Sequence, residues 1–377
     1  MILQTQQSDP LSIVLNVLFF ILIFISMFYG QKIQAYRSQK NLESALEKFK
    51  KWDEETLALT VRRFKQFCDE NLTVKDLEQK INDFMNFITI EPTSLDPGGI
   101  VPKIEHVMDV RENRYLEDVK ELAIKADERN IHNLENLLEA TMAVHQVYRI
   151  LLHYYLLGKK SKSYIILLQV EMQLKVFEAL AKAYVSASKA FAEGSPIGDA
   201  LGPMVASSFI RDVIEDGDLE YDDIAYQTIR QTISFEERTI HVIRAKGPGG
   251  TVGKPGEGIK KVIEQMNGNI KLVIMVDAGL KMEGDKTGSV VIGVGAAIGG
   301  VGVEKFKIES SVSDKKIPVN AIVCRQSLED AICTMKKSIV KSVPIIIDKI
   351  KTQIRKQTEE GDIVILAGIG NTIGIGI

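Results

Sequence analysis

The chain has 377 residues, 45% of them hydrophobic and 26% charged, enough for one large or two ordinary domains with real cores. A formal net charge of −3 gives no global basic field and argues against nucleic acid as a partner. Cys68, Cys324 and Cys333 show no CxxC spacing, and the five histidines form no HxxxH pair, so neither a disulfide framework nor a metal site is expected.

The first element is LSIVLNVLFFILIFISMFYG, Leu11 to Gly30, with no charge between Asp9 and Lys32. Its length suits a hydrocarbon core of about 30 Å. The N-terminus carries no Lys or Arg and the run does not end in small residues, so an uncleaved anchor is favoured over a signal peptide. Lys32, Arg37, Lys40, Lys48, Lys50 and Lys51 follow the span and no basic residue precedes it. The positive-inside rule then places the N-terminus outside and the remainder in the cytoplasm. Free thiols suit that compartment.

Beyond the anchor, Leu42, Ala45, Leu46, Phe49 and Trp52 recur at three- and four-residue steps, predicting an amphipathic helix. A second helix is predicted over 72–89 with Thr73 as N-cap, then a loop over 91–102 from its prolines and glycines. Residues 103–193 return to helix, with GKKSKS, 158–163, as a turn. This region reads as a stalk or bundle, with a homo-oligomer through it as one use. The expected domains are an anchor over 1–31, a helical region over 32–193 and an α/β domain over 194–377.

From residue 194 the pattern changes to short β-branched runs punctuated by glycine. TIHVIRA (239–245), KLVIMVDAG (271–279), SVVIGVGAAIG (289–299), IPVNAIVC (317–324) and GDIVILAGIGN (361–371) read as strands. GEGIKKVIEQM (256–266) and a run from Ser327 to about Lys356, capped by Ser327 with Asp330, read as helices. Apolar strands alternating with helices predict a mostly parallel α/β sandwich. Ligands in such sheets bind beyond the carboxyl ends of the strands. There the sequence offers GPGGTVGKPG, Asp277 and GIGNTIGIG. Lys254 is followed by Pro255 rather than Ser or Thr, so no P-loop is present and no cofactor is expected.

Taken in order, GDALGPMVAS, GTVGKPGEGI, KLVIMVDAGL, GVGAAIGGVGVEK and IPVNAIV resemble the spore germination proteases and, more widely, the hydrogenase-maturation endopeptidases. The likeness covers 194–324. The whole anchor–helix–α/β layout also resembles an uncharacterised archaeal family of single-pass membrane proteins. The protease resemblance implies a hydrolase-like (phosphorylase/hydrolase) fold and a pair of essential aspartates, Asp199 and Asp277. In the wider endopeptidase group the carboxylates instead bind a metal together with a histidine; the matching loops here lack histidine, and that departure speaks against a metal site. In that family the first strand ends in GxGN and runs into the Asp loop, whereas here the matching DIVILAGIGN stands at the C-terminus. A circular permutation is therefore expected, with the last strand central and Asn371 beside Asp199.

The expected function is a membrane-anchored cytoplasmic hydrolase, a peptidase acting on a peptide or protein through the aspartate pair. Two close carboxylates do not both ionise cheaply, so one serves as acid and the other as base. Thr251, Lys254, Gly370 and Asn371 are the expected substrate-binding residues. The alternative is a non-enzymatic, membrane-tethered ligand-binding or scaffold protein with a degenerate hydrolase-like domain.

Overall fold

The computed structural model describes residues 10–90, 92, 99–214, 220–300 and 302–376. Most of the loop expected over 91–102 lies outside the described residues.

Five long helices come first. They are α1 (Pro10–Lys65), α2 (Val74–Met85), α3 (Ile100–Leu122), α4 (Glu128–Ser161) and α5 (Tyr164–Glu193). Pro10–Met27 within α1 has a mean hydropathy of 2.5 and none of it is buried, so it is long and apolar enough to span a membrane. The Thr73 hydroxyl accepts the Asp76 N–H at 3.1 Å and starts α2 as its N-cap.

The chain divides into two compact units. The first comprises residues 10–53 and 146–179. In it Tyr155 donates to Glu43 at 2.6 Å and Asn41 donates to Glu171 at 2.6 Å, while Leu42, Phe49 and Leu151 are buried. The second unit comprises residues 54–145 and 180–377. It contains a helical core that includes Phe64, Leu77, Ile81, Tyr115, Leu137 and Phe191, joined by Ile197 and Ile373.

The second unit also holds α6 (Leu201–Val213), α7 (Pro255–Gln265), α8 (Val303–Lys315), α9 (Leu328–Ile332), α10 (Lys337–Val340) and α11 (Ser342–Gln357). Its strands are β1 (Asp222–Ala225), β2 (Thr228–Phe235), β3 (Arg238–Ala245), β4 (Leu272–Leu280), β5 (Val290–Val294), β6 (Val319–Gln326) and β7 (Ile363–Gly368). They form a seven-stranded sheet in the order β1-β2-β3-β7-β4-β6-β5. On β7, Val364 and Leu366 enter one core with α6 and α11, and Ile365 and Ala367 enter the other with α7 and α8. That alternation is the two-residue period of a strand buried on both faces.

The sheet corrects the expectation of a mostly parallel arrangement. The central β3-β7-β4-β6 block is parallel, but β1–β2, β2–β3 and β5–β6 are antiparallel. The β2–β3 hairpin turns through Glu236 and Glu237, both at positive φ, 48° and 63°. That turn usually takes Asn or Gly, so its sequence carries no hairpin signal.

Two further expectations change. The helix expected from Ser327 to Lys356 breaks into α9, α10 and α11. The Ser327–Asp330 capping box starts α9 as expected. The chain then leaves the helix so that Met335 donates its N–H to the Pro196 carbonyl at 2.8 Å, and Thr334 bridges Ile197. The strand expected over 289–299 ends at Val294, because Gly295 takes φ +107°. The last strand, β7, is central as expected. A permutation, however, is defined only against a reference strand order, and the family that supplied that order does not match, as described below.

Candidate functional site

The carboxyl ends of β7 and β4 carry the site. The β4–β7 pairing ends at Val276↔Gly368, and the Ile369 N–H then bonds the Val276 carbonyl at 2.8 Å. Asp277 is the next residue of β4. Asp199 comes from the other side, on a 3-10 turn, Gly198–Ala200, that leads directly into α6. A Cβ on Gly202 would lie 2.1 Å from the Ile369 carbonyl, so only glycine lets the first turn of α6 sit against the end of β7.

Asp199 and Asp277 line one cleft of about 330 Å³, within the usual size of ligand sites. Asp277 is only 8% exposed. Its Oδ1 accepts the Ala278 N–H at 2.7 Å, and no described residue donates to Oδ2. Asp199 Oδ2 accepts the Asn371 N–H at 2.8 Å. Burial raises the pKa of Asp199 against that hydrogen bond. Burial and then the Asp199 charge push Asp277 up to about 8, opposed by the Ala278 N–H. The two carboxylates therefore sense each other and titrate as a pair.

The other expected site residues divide. Lys254 and Gly370 line the cleft with the aspartates. Lys254 precedes the first turn of α7, and its Nζ donates to Asp109 Oδ1 at 2.7 Å. Gly370 has φ +129°, and a Cβ there would lie 2.0 Å from the Asp199 carbonyl. Thr251 and Asn371 are not among the residues lining the cleft. The Thr251 hydroxyl accepts the Gly253 N–H at 3.2 Å, and its carbonyl accepts the Thr372 N–H at 2.9 Å. Asn371 donates its Nδ2 to Asn136 Oδ1 at 3.1 Å and accepts the Ile373 N–H on Oδ1 at 2.9 Å. Both side chains are thus committed to holding the loops.

The helical part of this unit supplies groups that sequence reasoning missed. Asn136 of α4 donates to the Gly250 carbonyl at 2.5 Å, and Asn133 accepts the Gly250 N–H at 3.0 Å. These asparagines fix the glycine loop after β3. Glu105, Met108, Asp109 and Glu112 of α3 form one wall of the cleft. Their spacing of three and four residues in EHVMDVRE was the available signal. Among the described residues no group of three or more His, Cys, Asp or Glu is arranged to hold a metal ion.

Chemically, the cleft offers two neighbouring carboxylates whose pKa values are both raised, beside apolar side chains such as Val252, Ile298 and Ile369. That combination suits proton transfer to and from a bound molecule.

No curated protein and no solved structure matches the chain. The matching family models are not those of germination proteases or hydrogenase-maturation endopeptidases, which overturns that resemblance. Nothing in the matches supports the archaeal likeness either. The short glycine-rich segments that suggested the proteases are accounted for here by close approaches in this fold, such as Gly202 on Ile369 and Gly370 on Asp199. Residues 16–194 match the model described as the N-terminal domain of a protein of unknown function (DUF1512), and 197–376 match the DUF1512 C-terminal domain, so the chain belongs to the DUF1512 family.

Proposed function

We propose that the protein is a membrane-anchored hydrolase that cleaves a peptide-type bond with Asp199 and Asp277. The observation that carries this reading is the pair itself: two neighbouring carboxylates in one cleft, with Asp277 pushed up to about 8. At neutral pH the pair holds one proton, assigned to Asp277. Asp199 takes a proton from water as the water oxygen bonds to the carbonyl carbon. Asp277 gives its proton to the leaving nitrogen as the carbon–nitrogen bond breaks. The proton on Asp199 then passes to Asp277, which restores the starting state.

The apolar stretch Pro10–Met27 supports a single-pass anchor. The basic residues that follow it support a cytoplasmic location for the remainder.

The test uses the full chain in detergent against a mixed peptide library, read by mass spectrometry. Asp199→Asn and Asp277→Asn are each expected to abolish cleavage while the circular dichroism spectrum is kept. Cleavage is also expected to fall as pH rises through about 8, where the shared proton is lost. Full activity in either variant would overturn the reading.

A further inference from the structure

Glu105, Asp109 and Glu112 lie four and three residues apart, so they share one face of α3 with Met108, and all four line the cleft. The opposite walls add Asp199, Asp277 and Glu304. Among the described lining residues the only cation is Lys254, and Asp109 already occupies it at 2.7 Å. Behind the wall, Lys307 is shared by Glu105, Glu257 and Glu304 at 2.6, 3.1 and 3.1 Å. One ammonium thus serves three carboxylates.

Three lining carboxylates, Glu112, Asp199 and Asp277, remain without a cation among the described residues. Glu112 makes no ion pair among the described residues, and Asp277 keeps an oxygen that no described donor meets although the side chain is more than nine-tenths buried. Glu112 is exposed as a whole, yet local desolvation at the cleft raises its pKa. Lys254 opposes the rise, and Asp109, Glu135 and Glu139 add to it. Those directions mark a negative potential along the α3 wall. Met108, Val252 and Ile298 line the same cleft and give an aliphatic stem a surface to lie on.

We infer that the cleft selects substrates carrying a cationic side chain, with the ammonium or guanidinium held at Glu112 on α3 and its stem along Met108. The inference rests on the hydrolase reading only for which bond then faces the aspartates. Cation recognition itself is a binding property, measurable without turnover.

The experiment measures fluorescence anisotropy of three labelled pentapeptides, Ala-Ala-Lys-Ala-Ala, Ala-Ala-Glu-Ala-Ala and penta-alanine. The protein is the full-length Asp199→Asn variant in detergent. The lysine peptide is expected to bind about tenfold more tightly than the glutamate peptide at low salt. Glu112→Gln, added to that background, is expected to reduce the ratio to about threefold while leaving penta-alanine unchanged. Equal binding of the lysine and glutamate peptides overturns the inference. So does a ratio that Glu112→Gln leaves unaltered. Cleavage of the same peptides by the wild-type chain is scored separately. A lysine preference without cleavage sinks the hydrolase reading alone, and cleavage without a charge preference sinks cation selection alone.

Discussion

Asn371 donates its backbone N–H to the Asp199 carboxylate at 2.8 Å, linking positions 172 residues apart. The contact exists because β7 sits between β3 and β4, so the end of the chain emerges at the middle of the sheet. One carboxylate is fixed by the last loop of the chain and the other by the tip of β4. Neither position is meaningful without the other, and stability and chemistry meet at this point.

Asp277→Asn should stabilise the protein while removing activity. The folded pKa of Asp277 is raised from 3.8 to about 8, so the folded state holds this proton more tightly than the unfolded chain. The carboxylate therefore costs nothing below the unfolded value. Its cost grows as pH rises from 3.8 to about 8 and is complete above that. At about 1.4 kcal/mol per pKa unit the gain from Asn above pH 8 is at most about 6 kcal/mol. Denaturant unfolding at pH 5 and pH 9 checks it. The variant's advantage should be larger at pH 9, and an equal or smaller advantage there contradicts the shift.

Gly370→Ala should disturb the site from its backbone. The residue has φ +129°, and the new Cβ would lie 2.0 Å from the Asp199 carbonyl. That neighbour is main chain and has no rotamer to escape into. The expected loss is about 2 kcal/mol or more, combining a strained conformation with the shift of the Asp199 turn. Chemical denaturation measures the loss. An unchanged midpoint would show that the loop relaxes freely.

Parts of this were readable from sequence because local rules and tertiary demands agreed. The hydrophobic runs of β4 and β7 are continuous because these strands are buried on both faces. Thr73 and Ser327 announced helix starts that the structure keeps. Asp199 and Asp277 stood out because a single carboxylate in a glycine-rich or apolar setting has few structural uses. The β1–β2–β3 hairpins were hidden because Gln227, Glu236 and Glu237 take positive φ without being Asn or Gly. The break after Ile332 was hidden because a tertiary bridge to Ile197 causes it. The α3 wall was hidden because Glu105, Asp109 and Glu112 look like an ordinary solvated helix face until the sheet is placed beside them.

Asn136→Leu tests whether α4 positions the site. Asn136 bonds the Gly250 carbonyl with its Nδ2 and the Asn371 amide with its Oδ1. Leucine has similar bulk but meets neither group. It leaves a carbonyl and an amide without partners in a half-buried setting, at a cost of about 1–3 kcal/mol. Asn136→Gln, which keeps both functions one methylene further out, should recover part of the loss. If peptide cleavage is the activity, kcat should fall in Asn136→Leu even at temperatures where the variant is fully folded. A variant that loses stability but keeps kcat would mark Asn136 as structural only.

Replacing the apolar stretch tests the anchor and its direction. Leu11 to Tyr29 carries no charge, and Pro10–Met27 is unburied throughout. An Asp or Lys at the centre of a spanning helix costs about 2.5–3.5 kcal/mol of insertion free energy. Two such changes, Leu18→Lys and Leu22→Lys, should therefore move the protein from the membrane to the soluble fraction, where no other described helix qualifies as a span. Orientation is read with a membrane-impermeant thiol reagent on intact cells. A cysteine placed at Ser8 should label from outside, and one placed at Ser44 should label only after lysis. Labelling of Ser44→Cys in intact cells would reverse the orientation and place the cleft outside the cytoplasm.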